Sequence, residues 1–559
     1  MSVTAALLLV LLVPVASFAP GFLLVRRRRG WSPAETLAVS VAASIVFVYV
    51  SAFAIFAAGL PWASAWLVTA LSAGALVVAR QDVRRLFAAP LVRRIARQFA
   101  ALYLWNLLLL AILRHYGGGW WGPDWYEHYE RTLFFLDRGP ADAEFLGRYL
   151  LPARPPLMNL FAAFVLAQAG PQFANFQLTF AFLNLLPFVP MVLLSSLLVR
   201  RGSGRSGLLA LVLACNPMFL HNAEFAWTKA LPGFFVALGL WCYVTGWRRR
   251  DTTRMTLAFA SLTAGTLAHY SGAPYALVVG LHYLIWLWWR RPHPWREPLA
   301  IVLPSAALLA TWFGYAIRTY GLDTTIASTT TVSDAARLTP AENLAKVGLN
   351  VIDTLVPHLA RGLWVDRDDA PLRQLADNAF CVFQVNLPFL FGLGGFLVML
   401  FLLARTLAVR VTGQAAAERA FWLAFAGLTI VLGVAVHGER DHWGLAHIGL
   451  QPIAHVGLAW LAASLPTVPR GLRLAFVLGS VVDVVLGVAL RVNLESRLNG
   501  WAVDYNLEVK ETANLVFLGD WWPALTGPLQ AVMWVVAAVL IARLYRRLAT
   551  PLSGAPGAV

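Results

Sequence analysis

Between Gly117 and Leu157 the chain reads GGGWWGPDWYEHYERTLFFLDRGPADAEFLGRYLLPARPPL, and this stretch holds the residues best suited to chemistry. Gly122-Pro123 is a helix-start signal, because proline is preorganised for a first turn and its missing donor is not needed there. A helix read onward from it puts Asp124, Glu127, His128 and Arg131 at i, i+3, i+4 and i+7, on one face. Three titratable groups and a cation then converge. The same pattern also fits an amphipathic helix in the headgroup layer, wetting its polar face, with Trp120, Trp121, Trp125 and Tyr126 as interfacial aromatics.

Other candidates lie further along. Glu224 and Lys229, in HNAEFAWTKALPGFF, stand where an outward apolar run meets an inward one. Charge at such a place is a functional signal, or else a mutual ion pair or a snorkelling lysine. The run His437 to His442, with His447, offers ligand-type residues, but its spacing fits a polar loop better than a zinc site. His282 and His455 fall inside apolar runs and suit helix-to-helix hydrogen bonds. Cys215, Cys242 and Cys381 have no metal-type spacing, and no disulfide framework is expected. No Walker loop, Gly-rich dinucleotide turn or Ser-His-Asp signature is present, which argues against a nucleotide-driven enzyme.

The elements that must position these residues are membrane helices. Of 559 residues, 59% are hydrophobic and only 13% charged, against about 25% charged in soluble domains. The net charge of +16 comes from arginine clusters between apolar runs. That is the positive-inside pattern of a membrane protein, not a nucleic-acid footprint. The expected fold is an all-α polytopic membrane protein with about fifteen spans. Residues 1–98 would form N-terminal spans and a basic cytoplasmic helix, Arg80 to Gln98. Residues 99–317 would form a core with a first external loop at 115–156. Residues 318–379 would be an external loop or lid with a helix from Pro340 to Leu355, and residues 380–559 the C-terminal spans, with external loops at 437–444 and 491–523. Leu157 to Ala167 is too short to span and reads as re-entrant or interfacial. On this topology eight of the eleven histidines lie at the outer face.

Asp124 with Tyr126 and Tyr129 in a first external loop, then Arg154-Pro155-Pro156-Leu157, then Asn216-Pro217 ahead of Glu224 and Lys229, resembles the GT-C membrane glycosyltransferases. The protein O-mannosyltransferase and lipid A aminoarabinose transferase groups are the most similar in pattern. The resemblance covers about Phe99 to Ile317 and implies a GT-C-like core that moves a single sugar from a polyprenyl-phosphate donor to an acceptor hydroxyl, with inversion. By resemblance Asp124 is the catalytic base, Glu224 takes the place of a second external carboxylate, and Arg154 contacts donor phosphate. Because Asp124 is followed by Trp125 where the pattern has an Asp-Glu pair, Glu127 would have to supply any second first-loop carboxylate. Lys229, His269 and Arg440 join Arg154 around the phosphate, and Tyr126, His128, Tyr129, His221 and His442 line the substrate pocket.

The chemistry is consistent with that pattern. A sugar phosphate leaves without needing a proton, so the demands are a carboxylate to deprotonate a hydroxyl and cations to neutralise the developing phosphate charge. No cofactor is assigned with certainty and no metal site is named, and a divalent cation stays open. The expected partners are a polyprenyl-phosphate sugar, a glycan or lipid acceptor and membrane lipids, with no nucleic acid. The expected setting is a bacterial inner membrane, with the site facing outward. A lipid-glycan transporter or flippase is the alternative class, with a polysaccharide polymerase or ligase as a third. Arg318, Arg361, Arg367 and Arg440 in outer loops keep the last one alive.

Overall fold

In a hydrocarbon layer a spanning backbone must satisfy its hydrogen bonds within each segment, and this chain does so with helices. The computed structural model describes residues 3–199, 206–288, 295–328, 338–356, 371–384, 386–435, 449–498, 502–503, 508–509 and 515–549. In chain order the helices are α1 (Val3–Val25), α2 (Pro33–Ala57), α3 (Ser64–Val78), α4 (Arg80–Ala88), α5 (Pro90–Leu110), α6 (Asp124–Asp137), α7 (Leu157–Ala169) and α8 (Phe173–Leu185). They continue with α9 (Phe188–Leu198), α10 (Ser206–Ala214), α11 (Pro217–Glu224), α12 (Leu231–Arg249), α13 (Thr252–Ala268), α14 (Ala273–His282), α15 (Arg296–Tyr320) and α16 (Leu322–Ala327). The rest are α17 (Pro340–Leu355), α18 (Pro371–Val382), α19 (Leu393–Ala408), α20 (Gly413–Ala435), α21 (Gln451–Ser464), α22 (Arg470–Val482), α23 (Arg491–Glu495) and α24 (Thr526–Ala549).

The protein is a helical, polytopic membrane protein. Among the described residues seven helical runs are long and apolar enough to cross a bilayer, or eight if the bent α10–α11 pair is one span. The expected fifteen included segments that turn out broken. The run from Ser206 to Leu220 bends by 72° between α10 and α11. There Asn216 caps the second helix by accepting from the Phe219 amide at 2.9 Å, and Pro217 opens its first turn. The run from Phe380 to Ala404 is divided between α18, a four-residue helix at Leu387–Leu390 and α19. Arg80 to Gln98 is likewise two helices, and the second, α5, runs through residue 98 into the apolar stretch.

Two expectations match closely. The helix α7 is 13 residues long and buried, too short to span. The helix α17 begins and ends where expected, opened by Pro340 behind a capping box of Thr339 and Glu342.

The N-terminal hairpin braces the first loop. The Trp62 indole donates to the Phe135 carbonyl at 3.3 Å, the Arg138 guanidinium donates to the Ile55 carbonyl at 3.3 Å, and Phe56 meets the Phe135 ring edge-on at 5.0 Å. These contacts fix the far end of α6. That gives the leading spans a positioning role.

Candidate functional site

Asp124 and Glu127 occupy the first turn of α6, where carboxylates complement the helix dipole, and Arg138 closes the helix in the left-handed conformation. The polar face of α6 is turned into the protein. Asp124, Glu127, His128 and Arg131 are all buried, so the reading of a wetted amphipathic helix is set aside. Trp125 is core and not a membrane belt, packed against Phe173 at 5.0 Å, Tyr116 at 5.4 Å and Phe517 at 5.5 Å. Tyr126 packs on Trp125 at 5.6 Å, and the Tyr129 hydroxyl donates to the Pro171 carbonyl at 2.6 Å. Tyr129 therefore helps to seat α6.

The two carboxylates one turn apart are used differently. Glu127 is bridged by Arg131 at 2.8 Å and by Arg154 at 3.4 Å, and its side chain is 0% exposed. Asp124 has a looser contact, 3.9 Å from the Lys229 ammonium, and its side chain is 12% exposed. Glu127 is thus a fixed counter-charge, while Asp124 keeps a reachable oxygen.

Lys229 arrives on the turn between α11 and α12. The Asn184 amide pins that turn from α8, donating to the Asn222 carbonyl at 2.8 Å and the Trp227 carbonyl at 2.5 Å. The Lys229 ammonium lies 3.0 Å from His269 Nε2, while His269 Nδ1 accepts from the Ser271 amide at 3.1 Å and lies 2.9 Å from the Ser271 hydroxyl. On the same turn the Thr228 hydroxyl lies 3.2 Å from His128 Nε2.

Arg154 is delivered by the loop ahead of α7, and Pro155 behind it keeps its backbone extended. Arg131 holds this loop by donating to the Leu151 carbonyl at 2.8 Å and the Leu150 carbonyl at 3.2 Å. The Tyr270 hydroxyl donates to the Pro152 carbonyl at 2.9 Å. Asn159 of α7 donates to the His128 carbonyl at 2.6 Å, which locks α7 onto α6. The Arg154 and Arg148 guanidiniums lie over the Tyr149 ring at 5.3 and 4.6 Å.

With Asp124 and Glu127 ionised, the three buried or half-buried cations Arg131, Arg154 and Lys229 outweigh them, leaving a positive site in a low-dielectric setting. Burial raises the Asp124 carboxyl above its ordinary value, against the opposing pull of Lys229 and Arg154. Burial would raise Glu127 too, but Arg154 and Arg131 overcome it and hold that carboxyl at about 2. Burial lowers the Lys229 ammonium to about 8, with Asp124 resisting the fall. It also keeps the His128 imidazole neutral, well below its usual value. Arg154 Nε and His128 Nδ1 are buried with no hydrogen-bond partner within the protein, the condition of groups that a bound ligand completes.

Among solved structures, similarity is found to ArnT. The crystal structure of ArnT from Cupriavidus metallidurans bound to undecaprenyl phosphate is matched at TM-score 0.46 and 16% identity, over 80% of this chain and 72% of that one. Its apo form is matched at TM-score 0.45 and 15% identity, over 80% and 71%. No protein-family model matches the chain, and no curated protein matches it in sequence. Function is therefore read from the residues above.

Of the expected site residues, Asp124, Glu127, His128, Arg154, Lys229 and His269 come together. Arg440 and His442 lie outside the described residues, as do His437, His447, Arg361 and Arg367. Glu224 does not join the cluster or pair with Lys229; its carboxylate pairs with Arg491, 267 positions away in sequence. The His221 ring is no pocket residue either, with Nε2 donating to the Gly487 carbonyl at 2.6 Å and the ring stacked on Phe380 at 5.2 Å.

Arg491 also bonds Glu495 at 2.8 Å, and Glu495 in turn accepts from the Gly117 amide at 2.7 Å. Asp377 accepts from the Gly118 amide at 2.7 Å. Carboxylates from two distant helices thus hold the start of the first loop. Glycine is required there by close approach, since an added Cβ would lie 2.9 Å from Asp377 Oδ1 at Gly117 and 2.7 Å from the Phe225 ring at Gly118.

Among the described residues no three His, Cys, Asp or Glu side chains are grouped to cage a metal ion. On α6, Glu127 already faces two guanidiniums. Sequence reasoning missed Asn184, Thr228, Tyr149 and Tyr270, whose types carry no signal outside the fold. It also passed over Arg491, a lone arginine closing an apolar run, which was a readable signal.

Proposed function

We propose that this chain is a membrane glycosyltransferase of the GT-C kind. It takes a sugar from a polyprenyl-phosphate donor and passes it to a hydroxyl of a glycan or lipid acceptor at the outer face of a bacterial inner membrane. The observation that carries the reading is the division of labour on α6: Glu127 is fully neutralised, while Asp124 stays reachable beside Lys229 and near Arg154. Undecaprenyl phosphate, the ligand of the ArnT crystal structure, is a polyprenyl phosphate, the class of molecule that leaves in the proposed reaction.

Asp124 takes the proton of the acceptor hydroxyl as its oxygen attacks the anomeric carbon. The bond from that carbon to the phosphate oxygen breaks on the opposite side, which inverts the centre. The polyprenyl phosphate departs with the added negative charge, and Arg154 and Lys229 neutralise it. His269 fixes the ammonium through its 3.0 Å contact, and Glu127 with Arg131 fixes Arg154 and α6. A positioned base contributes roughly a hundred- to ten-thousandfold, and preorganised cations in a dry site stabilise a developing anion further.

Incubating the purified chain with a labelled polyprenyl-phosphate sugar and membrane glycolipids tests this. Monosaccharide transfer with release of polyprenyl phosphate is expected. Transfer of a preassembled chain would point to a polymerase or ligase, and translocation with no bond change to a transporter.

A further inference from the structure

Lys229 and Asp124 come from different parts of the fold, and their 3.9 Å separation is longer than a hydrogen bond, so other contacts must set it. The turn that carries Lys229 is strained. Ala226, three residues ahead of the lysine, has φ 57° in the left-handed region, a conformation that a residue with a Cβ keeps only where its surroundings impose it. Two buried side chains hold that turn. From α8, Asn184 donates to the Asn222 and Trp227 carbonyls. From α6, His128 Nε2 lies 3.2 Å from the hydroxyl of Thr228, the residue next to Lys229. His128 is a firm post for this contact. Its carbonyl accepts from Asn159 of α7 at 2.6 Å and from the Thr132 hydroxyl at 2.9 Å, and its ring is 1% exposed and packs against Phe180 at 6.3 Å. Nδ1 has no partner in the protein, so among the described residues the Thr228 contact is the hydrogen bond that the ring makes. Burial keeps the imidazole neutral, so it ties the turn to α6 without adding a charge beside three cations.

We propose that His128 and Thr228 are positioning residues for the transfer reaction, their hydrogen bond holding the Lys229 ammonium beside Asp124 in the geometry that base and cation need. The inference rests on the proposed transfer function and adds to it a pair that acts through Lys229. Around Lys229 stand Asp124 and Glu127 of α6, Arg154 of the loop ahead of α7, and His269 after α13. Around Asp124 stand Lys229, Arg154, Glu127 and Arg148. Glu127, Arg154 and Arg148 are held on α6 and its following loop by their own ion pairs and by the Tyr149 ring, so loosening the turn moves Lys229 and leaves them in place. Once the ammonium drifts, the Asp124 carboxyl loses a pull that lowers it and titrates higher, while Lys229 loses the support of Asp124 and titrates lower. The pH window with the base ionised and the ammonium charged then narrows from both sides. A merely structural loss lowers the rate at every pH and leaves the width of that window unchanged.

The test is kcat/KM against pH for the full chain in detergent, with a labelled polyprenyl-phosphate sugar, in the parent, Thr228→Val, Thr228→Ser, His128→Phe and the double variant Thr228→Val/His128→Phe. Thr228→Val keeps the volume and loses the hydroxyl. It should lower the rate at the optimum about tenfold, through a lost buried hydrogen bond and a displaced cation, with the acid limb moved to higher pH and the basic limb to lower pH. Thr228→Ser keeps the hydroxyl and should bring both limbs back. The double variant should fall no further than Thr228→Val, because the two side chains act through one bond. Should Thr228→Val not fold, His128→Phe against His128→Gln gives the same comparison, the Gln amide reaching the place of Nε2. Unmoved limbs beside a lower rate, limbs that serine does not bring back, or single effects that multiply in full in the double variant would each overturn the proposal. Absence of sugar transfer by the parent would overturn the reading of the site and this inference with it, whereas transfer by the parent with unmoved limbs in the variants overturns this inference alone.

Discussion

Replacing Lys229 with methionine removes the buried ammonium that lies 3.9 Å from Asp124 and 3.0 Å from His269 while keeping much of its volume. Removing one partner of a desolvated charge pair costs about 2–5 kcal/mol. The lower half applies here, because the Asp124 contact is longer than a hydrogen bond and that side chain is 12% exposed. A loss of about 2–3 kcal/mol corresponds to roughly a 30- to 150-fold fall in kcat/KM for sugar transfer.

The pH profile carries a sharper signature. Lys229 titrates at about 8 because burial disfavours its charge, so a reaction that needs the ammonium loses rate as pH rises through about 8. Arginine stays protonated far above that range, so Lys229→Arg should remove the basic limb from the kcat/KM profile. The acid limb belongs to Asp124, whose carboxyl burial already raises and Lys229 pulls back down. Lys229→Met should therefore move the acid limb to higher pH. The assay is kcat/KM against pH with a labelled polyprenyl-phosphate sugar. A basic limb that persists unchanged in Lys229→Arg, or a methionine variant within threefold of the parent, would refute this role for Lys229.

Arg154→Ala should weaken donor use by more than about tenfold, and Arg154→Lys should recover part of it, losing the bidentate geometry but not the charge; KM for the donor reports both. Glu224→Gln should unfold at lower temperature in detergent, by less than the about 3–5 kcal/mol of a fully uncompensated buried charge because Glu495 still faces Arg491, yet leave the acid limb where it was; a shifted limb would return Glu224 to the reaction. Chelation with EDTA should reduce transfer at most modestly. Full silencing with rescue by a divalent ion would make the α6 face a ligand set.

Where local chemistry alone decides, the sequence was readable. Thr339, Pro340 and Glu342 announce a helix start, and α17 begins there. Asp124, Glu127, His128 and Arg131 share a face because a helix spaces them so, and Arg154 is presented because two prolines follow it. The sign of the environment was not readable. A polar helical face looks the same whether it meets headgroup water or a buried counter-charge, so Trp125 read as a belt residue and proved to be core. Partner choice was also hidden. Glu224 and Lys229 are five positions apart, yet the 72° bend at α10–α11 and the Asn184-pinned turn send one to Arg491 and the other to Asp124. Asparagine at 216 and proline at 217 mark a cap, but they do not tell a bent span from the start of a new element.

The most direct test of the account is the Asp124→Asn variant, which removes the base and keeps its shape. Single-turnover transfer should fall by roughly a hundred- to ten-thousandfold, while the protein elutes as a single species and still binds the polyprenyl-phosphate donor. Near-normal turnover in a folded Asp124→Asn protein would contradict the account and move the base elsewhere in the cluster.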